Sequence, residues 1–416
     1  MSVQSRSAAS FLAKALLILL MFGYVIKYLE LRYFITNGVY LGDWLPEWQF
    51  INYVSLNDSI KVTVLCLLLL FPLILYFIRR NESAEVPYYA TNAVFFIVLV
   101  MALGGLAIIR LRYGATMGQA EANLPWYLGT LVYRSQTDLM PGLLVMLIHG
   151  FRTSNRRLFM HLSIAALFIL QALIAIGTGS KSGVIFFVFV MVCYWELVGD
   201  RRYLRPKVLV PLVLIALVAF IAGSQMRAYT LWGGDSEYVR YISDGRFLTL
   251  ASELVVDIVN RFPGQEALAL ACGNGCSAAT LSGVLPMSQL LSGEIATYYT
   301  RDVVGVVSEV DFRAPGFLGG AVMAVGIYRG VIVAFLAVAS GLFLLRLMDR
   351  TGISIAAKVV AAFGLFRFFM EGAWYWADLL SVAYGVIGTE LAVRLAVSIT
   401  RRAGTASAPS VRATPA

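Results

Sequence analysis

QALIAIGTGSKSGVIFFVFV, residues 171–190, carries two apolar runs on either side of the hinge Gly177-Thr178-Gly179-Ser180-Lys181-Ser182-Gly183. Each run approaches the length of about twenty residues that a helix needs to cross a bilayer. Neither alternates polar with apolar, as a transmembrane strand would. A turn between two helices needs one glycine or two. It does not need a lysine and three hydroxyls, so the hinge is either a tight hairpin with a snorkelling lysine or a cradle for an anion. The G-x-x-x-x-G-K-[ST] spacing of a nucleotide P-loop is absent.

The rest of the chain repeats the apolar pattern. Of 416 residues, 59% are hydrophobic and 14% charged, and the mean hydropathy is +0.78, far from the soluble average of about a quarter charged. The expected fold class is therefore an all-α polytopic membrane protein. Spans are read at 11–29, 60–78, 90–109, 127–151, 158–176, 183–198, 208–224, 318–345, 354–372 and 375–399, about ten in all. They divide the chain into a first bundle of about seven spans (1–224), one large extracytoplasmic loop containing helices (225–313) and about three further spans (314–400). The tail 401–416, rich in Ala, Ser, Thr and Pro, reads as disordered. The first span lacks a small-residue cleavage site and is expected to remain as an anchor.

Charge sets the orientation. Short loops on one side carry Arg79, Arg80, Arg152, Arg156, Arg157, Arg201, Arg202, Arg205, Lys207, Arg346, Arg350 and Lys358, whereas those on the other carry Arg32, Arg110, Arg112 and Lys181. The positive-inside rule places both termini in the cytoplasm and the hinge at the outer face. The net charge of +9 is mostly this topological signal. Nucleic-acid binding would require the charge on one folded patch.

The outer loop opens with arginines, carboxylates and aromatics (Arg227, Tyr229, Trp232, Asp235, Tyr238, Arg240) and continues through a helix-like stretch around Glu253, Asp257 and Arg261. Stacking rings beside charged groups suit sugars; an ordinary folded cap is the alternative. From 267 to 291 it becomes mildly apolar, which predicts an amphipathic helix lying on the membrane or capping a cavity. Cys272-Gly-Asn-Gly-Cys276 permits a small disulfide ring in an oxidising compartment, whereas Cys66 and Cys193 fall in spans and read as packing residues. Asp311-Phe-Arg-Ala-Pro-Gly-Phe-Leu-Gly-Gly320 then re-enters the membrane as a broken or closely packed helix. Arg329, nine residues further on, is expected to face a polar interior or pair there.

Three stretches together resemble the bacterial oligosaccharide repeat-unit polymerases, the Wzy-type O-antigen, capsule and exopolysaccharide polymerases. Gly-Thr-Gly-Ser-Lys-Ser-Gly looks like their Gly-Ser-Arg-type turn, with lysine in place of arginine. Arg313-Ala-Pro-Gly-Phe-Leu-Gly-Gly320 with Val325-Gly-Ile-Tyr-Arg-Gly330 resembles their re-entry segment, its glycines one residue further apart than usual. Leu365-Phe-Arg-Phe-Phe-Met-Glu-Gly372 resembles their late arginine-bearing span. The resemblance implies a GT-C-like membrane fold shared with O-antigen ligases. It also implies a bacterial inner-membrane enzyme joining undecaprenyl-pyrophosphate-linked oligosaccharides at the outer face, alongside a flippase and a chain-length regulator.

The residue chemistry is compatible with that activity. A pyrophosphate carries its own activation, so the protein must hold negative charge and deprotonate a sugar hydroxyl. Candidate clamps are Lys181, Arg227, Arg313 and Arg367, with Arg134 and Arg329 further in, and Gly179 and Ser180 supply backbone N–H groups. Candidate bases are Asp311, Glu309 and Asp257, with Glu253 beside it. His149 and His161 lie near cytoplasmic ends of spans, which disfavours a ligase with its outer-face histidine. No metal and no cofactor is expected, because two histidines cannot make a metal site alone and no carboxylate motif clusters. A lipid-linked oligosaccharide flippase or transporter is the alternative from another class; the absence of internal repeats speaks against it.

Overall fold

The computed structural model describes residues 6–37, 51–80, parts of 97–109, 135–178, 182–260, 264–273, 287–291, 294–299, 315–372 and 374–406. Their regular structure is helical, as expected where backbone polar groups must be satisfied within each segment. Helix α1 runs over Ala8–Asn37, with a π turn at Met21–Ile26. Its start is pinned from the far end of the chain: the Asp349 carboxylate accepts from the Ser7 hydroxyl at 2.6 Å and from the backbone N–H of Ala8 at 3.1 Å. Helix α2, Tyr53–Arg79, begins in a reciprocal Asn52/Ser55 capping box. A second π turn, Ser135–Leu139, leads into α3, Met140–Thr153. Then follow α4 (Arg157–Thr178), α5 (Ser182–Val198) and α6 (Pro206–Trp232).

Beyond α6 the chain forms the short α7 (Glu237–Ser243) and α8 (Phe247–Asn260), α9 (Gln265–Gly273) and α10 (Glu294–Tyr298). Four helices complete the fold: α11 (Phe317–Val325), α12 (Ile327–Arg350), α13 (Ile355–Glu371) and α14 (Trp376–Ala406). Among the described residues, α1, α2, α4, α6, α12 and α14 are long and apolar enough to cross a membrane, six rather than ten. The expected spans over 183–198 and 354–372 appear as helices of 17 residues each, while the one over 127–151 is described only from residue 135 and that over 90–109 only in part. Helix α13 is buried almost throughout, packed by α1, α3, α5, α12 and α14. It is a core helix, so protein sets its length. The outer surface is apolar, with Leu68 on α2 and Val218 on α6 exposed, as a lipid-facing surface requires.

Two expectations are corrected. The span read at 318–345 is broken at Gly326, whose φ is +87°. A Cβ on Gly330 would lie 2.7 Å from Val322 Cα, so α11 and α12 fold back against one another at the break. All nine residues of α11 are buried. Likewise, the part of the 267–291 stretch that forms helix α9 does not lie on the membrane surface. Helix α9 inserts between α2 and α11, with Ala267, Leu268 and Ala269 fully buried. Small residues permit this: a Cβ on Gly319 of α11 would lie 3.0 Å from the Ala267 Cβ, closer than an ordinary contact.

The two ends of the bundle differ chemically. At one end Asp349 caps α1, with the Lys358 ammonium 3.7 Å away, and Glu390 on α14 accepts from the Ser354 N–H at 3.0 Å. Ser7 and Glu390 thus lie at the same end. At the other end, Gly372 closes α13 with φ +60°. There a Cβ would overlap the backbone of Gly316 and Phe317. Gly372→Ala should destabilise the fold by about 2–5 kcal/mol, combining backbone strain and overpacking; thermal unfolding in detergent reads it. An unchanged midpoint would mean that this joint is not tightly closed.

Candidate functional site

The end of the bundle opposite Asp349 holds a nearly buried arginine between two carboxylates. Arg367 sits in the last turn of α13 with its guanidinium nearly buried; Nη1 donates to Asp138 Oδ1 at 3.3 Å, and Nε lies 3.4 Å from Glu371 Oε1. Asp138 is buried in the π turn before α3, and Glu371 is more open. At the start of the same π turn, the Ser135 and Tyr384 hydroxyls lie 3.3 Å apart. The arginine is set by helix position. Four residues before Glu371 it forms an i,i+4 pair, and α3 brings the second carboxylate from far away in sequence. Such a pair is costly to desolvate and costlier to break on one side.

A backbone joint links this pair to a second polar cluster. The Gly316 N–H donates to the Glu371 carbonyl at 3.3 Å, and Trp374 Nε1 donates to the Phe317 carbonyl at 2.9 Å. One residue on, the Leu318 N–H in the first turn of α11 donates to the Tyr24 hydroxyl at 3.2 Å. Tyr24 lies in the π turn of α1, and Gly264, just before α9, packs on its ring and on the Gly23 carbonyl. The π turn therefore receives the starts of two short helices. Such turns occur frequently at functional sites.

Beyond Tyr24 lie three ionisable groups in the interior. Lys27 is 0% exposed and its ammonium is 3.0 Å from Glu30. Glu266, 5% exposed, opens α9 and accepts from the Gly264 N–H at 3.3 Å. Burial pushes the Glu266 carboxyl above its ordinary range; the Lys27 charge draws it back, and Glu30 pushes it up again. Beside them Gln265 donates to Ser59 Oγ at 2.7 Å and accepts from the Thr63 hydroxyl at 2.8 Å, which fastens α9 to α2.

Of the candidate residues, Arg367 is at this site. Arg227 is partly buried in the last two turns of α6. Arg329 corrects its expectation: it is exposed in the first turn of α12, because Gly326 starts a new helix there. A long cationic side chain at a helix start reaches the interface without a buried partner. Asp257 belongs to α8, and its side chain is outside the described set. Lys181, Gly179, Ser180, Arg134, Glu309, Asp311 and Arg313 lie outside the described residues, as does Cys276; Cys272 is buried in α9. His149 is buried against Tyr194 and His161 is exposed beside Tyr203.

Sequence reasoning missed Asp138, Lys27, Glu30 and Glu266. The first three had a usable signal, since each is an ionisable residue in or bordering an apolar run and such residues mark functional positions in membranes. Glu266 had none, because its helix read as part of a surface loop. No family model, curated protein or solved structure matches the chain.

Proposed function

We infer that the chain is a metal-independent glycosyltransferase that polymerises undecaprenyl-pyrophosphate-linked oligosaccharide repeat units into a surface polysaccharide. In this reading the Arg367 end faces the outside of the bacterial inner membrane, and the Asp349 end, with both termini, faces the cytoplasm. The observation that carries the reading is Arg367, a nearly buried guanidinium held between Asp138 and Glu371 at the end opposite Ser7 and Glu390. Guanidinium binds phosphate through a planar fork, and a low-dielectric setting strengthens that contact.

The two carboxylates act as resting counter-ions. A donor pyrophosphate replaces Glu371, the more open of the two, and Asp138 keeps the guanidinium oriented. As the bond from the anomeric carbon to the phosphate oxygen breaks, negative charge grows on the leaving group and Arg367 stabilises it. Lys181 and Arg313 complete the clamp in this reading, on the strength of the sequence resemblance.

The test is polymerisation of a purified lipid-linked repeat unit by the purified protein in detergent or proteoliposomes. A ladder of joined units is the expected result. Movement of units across the membrane without joining would replace this reading with a flippase. Sidedness is checked separately by labelling single cysteines in cells. A cysteine at Asp244, beyond α6, should react with an impermeant reagent, and one at Arg202, before α6, should not. The reverse pattern would move the proposed chemistry to the cytoplasm.

A further inference from the structure

Helix α8 carries an apolar face that the bundle leaves uncovered. One side of it packs on α6 and α7: Leu254 joins Phe220 and Tyr238 in a small core, with Ile221 and Leu250 against it. The neighbouring side exposes Phe247, Leu248, Ala251 and Val255. These stand at i, i+1, i+4 and i+8, so they share one helical face, and Leu248 is 90% exposed. Thr249 and Glu253 fall on the far side of the helix, which is therefore amphipathic. A folded cap surrounded by water would turn such apolar residues inward. Left outside, they mark a contact surface.

What lies against that face follows from its depth. Exposed tyrosine and tryptophan side chains stand at the Arg367 end of the bundle: Tyr33 near the end of α1, Tyr53 at the start of α2, Tyr229 near the end of α6, Tyr328 at the start of α12 and Trp376 at the start of α14. The Thr36 and Tyr53 hydroxyls lie 2.7 Å apart, so the ends of α1 and α2 are level. Amphipathic rings gather where a membrane meets water, so this girdle marks the boundary. Phe220, on which α8 is seated, lies nine residues before Tyr229 on α6, about 13 Å nearer the opposite end. Helix α8 also packs on the π turn of α1, Met21–Ile26, which precedes Tyr33 by at least seven residues. At the depth of Phe220, α6 exposes Val218, part of its lipid-facing surface. The segment just before α8 is charged and exposed (Asp235, Glu237, Arg240, Asp244 and Arg246), which keeps the start of the helix at the water side.

We propose that α8 is an interfacial helix whose Phe247, Leu248, Ala251 and Val255 face is inserted among the acyl chains of the leaflet at the Arg367 end. The occupant of that face is bilayer lipid. Helices of this kind sink an apolar face about 5–10 Å past the headgroups while their polar side stays wet. The seat on Phe220 reaches that depth, and Thr249 and Glu253 supply the polar side. The segment that follows α6 is thus in part a membrane element, and not a cap held wholly in water. This requires only that the chain spans a membrane, and it holds whichever reaction the protein performs.

The test is spin labelling of single added cysteines in the full chain, reconstituted in phosphatidylcholine–phosphatidylglycerol vesicles. Signal from the native cysteines is measured on the parent protein and subtracted. Collisions of each label with oxygen, which concentrates among acyl chains, are compared with collisions with a water-soluble nickel chelate. Val218→Cys on α6 and Glu237→Cys on α7 calibrate the lipid and water extremes. Labels at Leu248→Cys and Val255→Cys should follow Val218→Cys, colliding with oxygen in preference to the chelate. A preference for the chelate at both positions would make α8 part of a water-facing cap and overturn the proposal. Labels shielded from both reagents would mean that protein covers the face, which overturns it equally. Spin–spin broadening that fades on dilution with unlabelled protein would then identify that cover as a second copy of the chain.

Discussion

Arg367→Ala is expected to abolish measurable joining of repeat units while single units still reach the outer face. Two effects add. The donor loses a charge-assisted contact of about 1.5–3 kcal/mol, about ten- to a hundredfold in rate if that contact acts in the transition state. Asp138, buried and 3.3 Å from the guanidinium, also loses that cation, and breaking one side of a buried pair costs about 3–5 kcal/mol. Arg367→Ala alone would therefore confound binding with folding. Arg367→Ala with Asp138→Asn removes the stranded charge and should recover the melting temperature without recovering polymer. Arg367→Lys keeps the charge and loses the fork, so it should retain the fold with a reduced rate. Polymer of normal length from the folded double variant would remove Arg367 from the mechanism.

Lys27→Met should produce the largest loss of stability, about 3–5 kcal/mol, because it removes the buried ammonium that lies 3.0 Å from the Glu30 carboxylate. The effect is independent of what the protein does. Adding Glu30→Gln should restore part of the loss, since a neutral amide replaces the carboxylate that lost its ammonium. The check is the midpoint of thermal unfolding in detergent for each single variant and the pair. Additive losses would mean that Lys27 and Glu30 do not interact as their 3.0 Å separation implies.

The sequence by itself determined the class of the molecule, a helical membrane protein. Apolar runs of bilayer length must form helices, since water is absent there to satisfy the backbone, and this needs no knowledge of neighbours. It also singled out Arg367, through the resemblance carried by Leu365–Gly372. Only the tertiary structure decided which runs are inside. Residues 318–345 read as one span, and a single glycine with positive φ divides them into α11 and α12. Residues 267–291 read as a helix lying on the membrane or capping a cavity, and their described start in α9 is buried in the bundle, because whether a mildly apolar helix meets lipid or protein depends on what lies opposite. The partners of Arg367 and Lys27 follow the same logic. Glu371 and Glu30 lie within one helical turn and were legible as i,i+4 and i,i+3 neighbours. Asp138 and Glu266 lie more than two hundred residues away from them, and only the packing of α3 on α13 and of α9 on α1 and α2 brings those charges together.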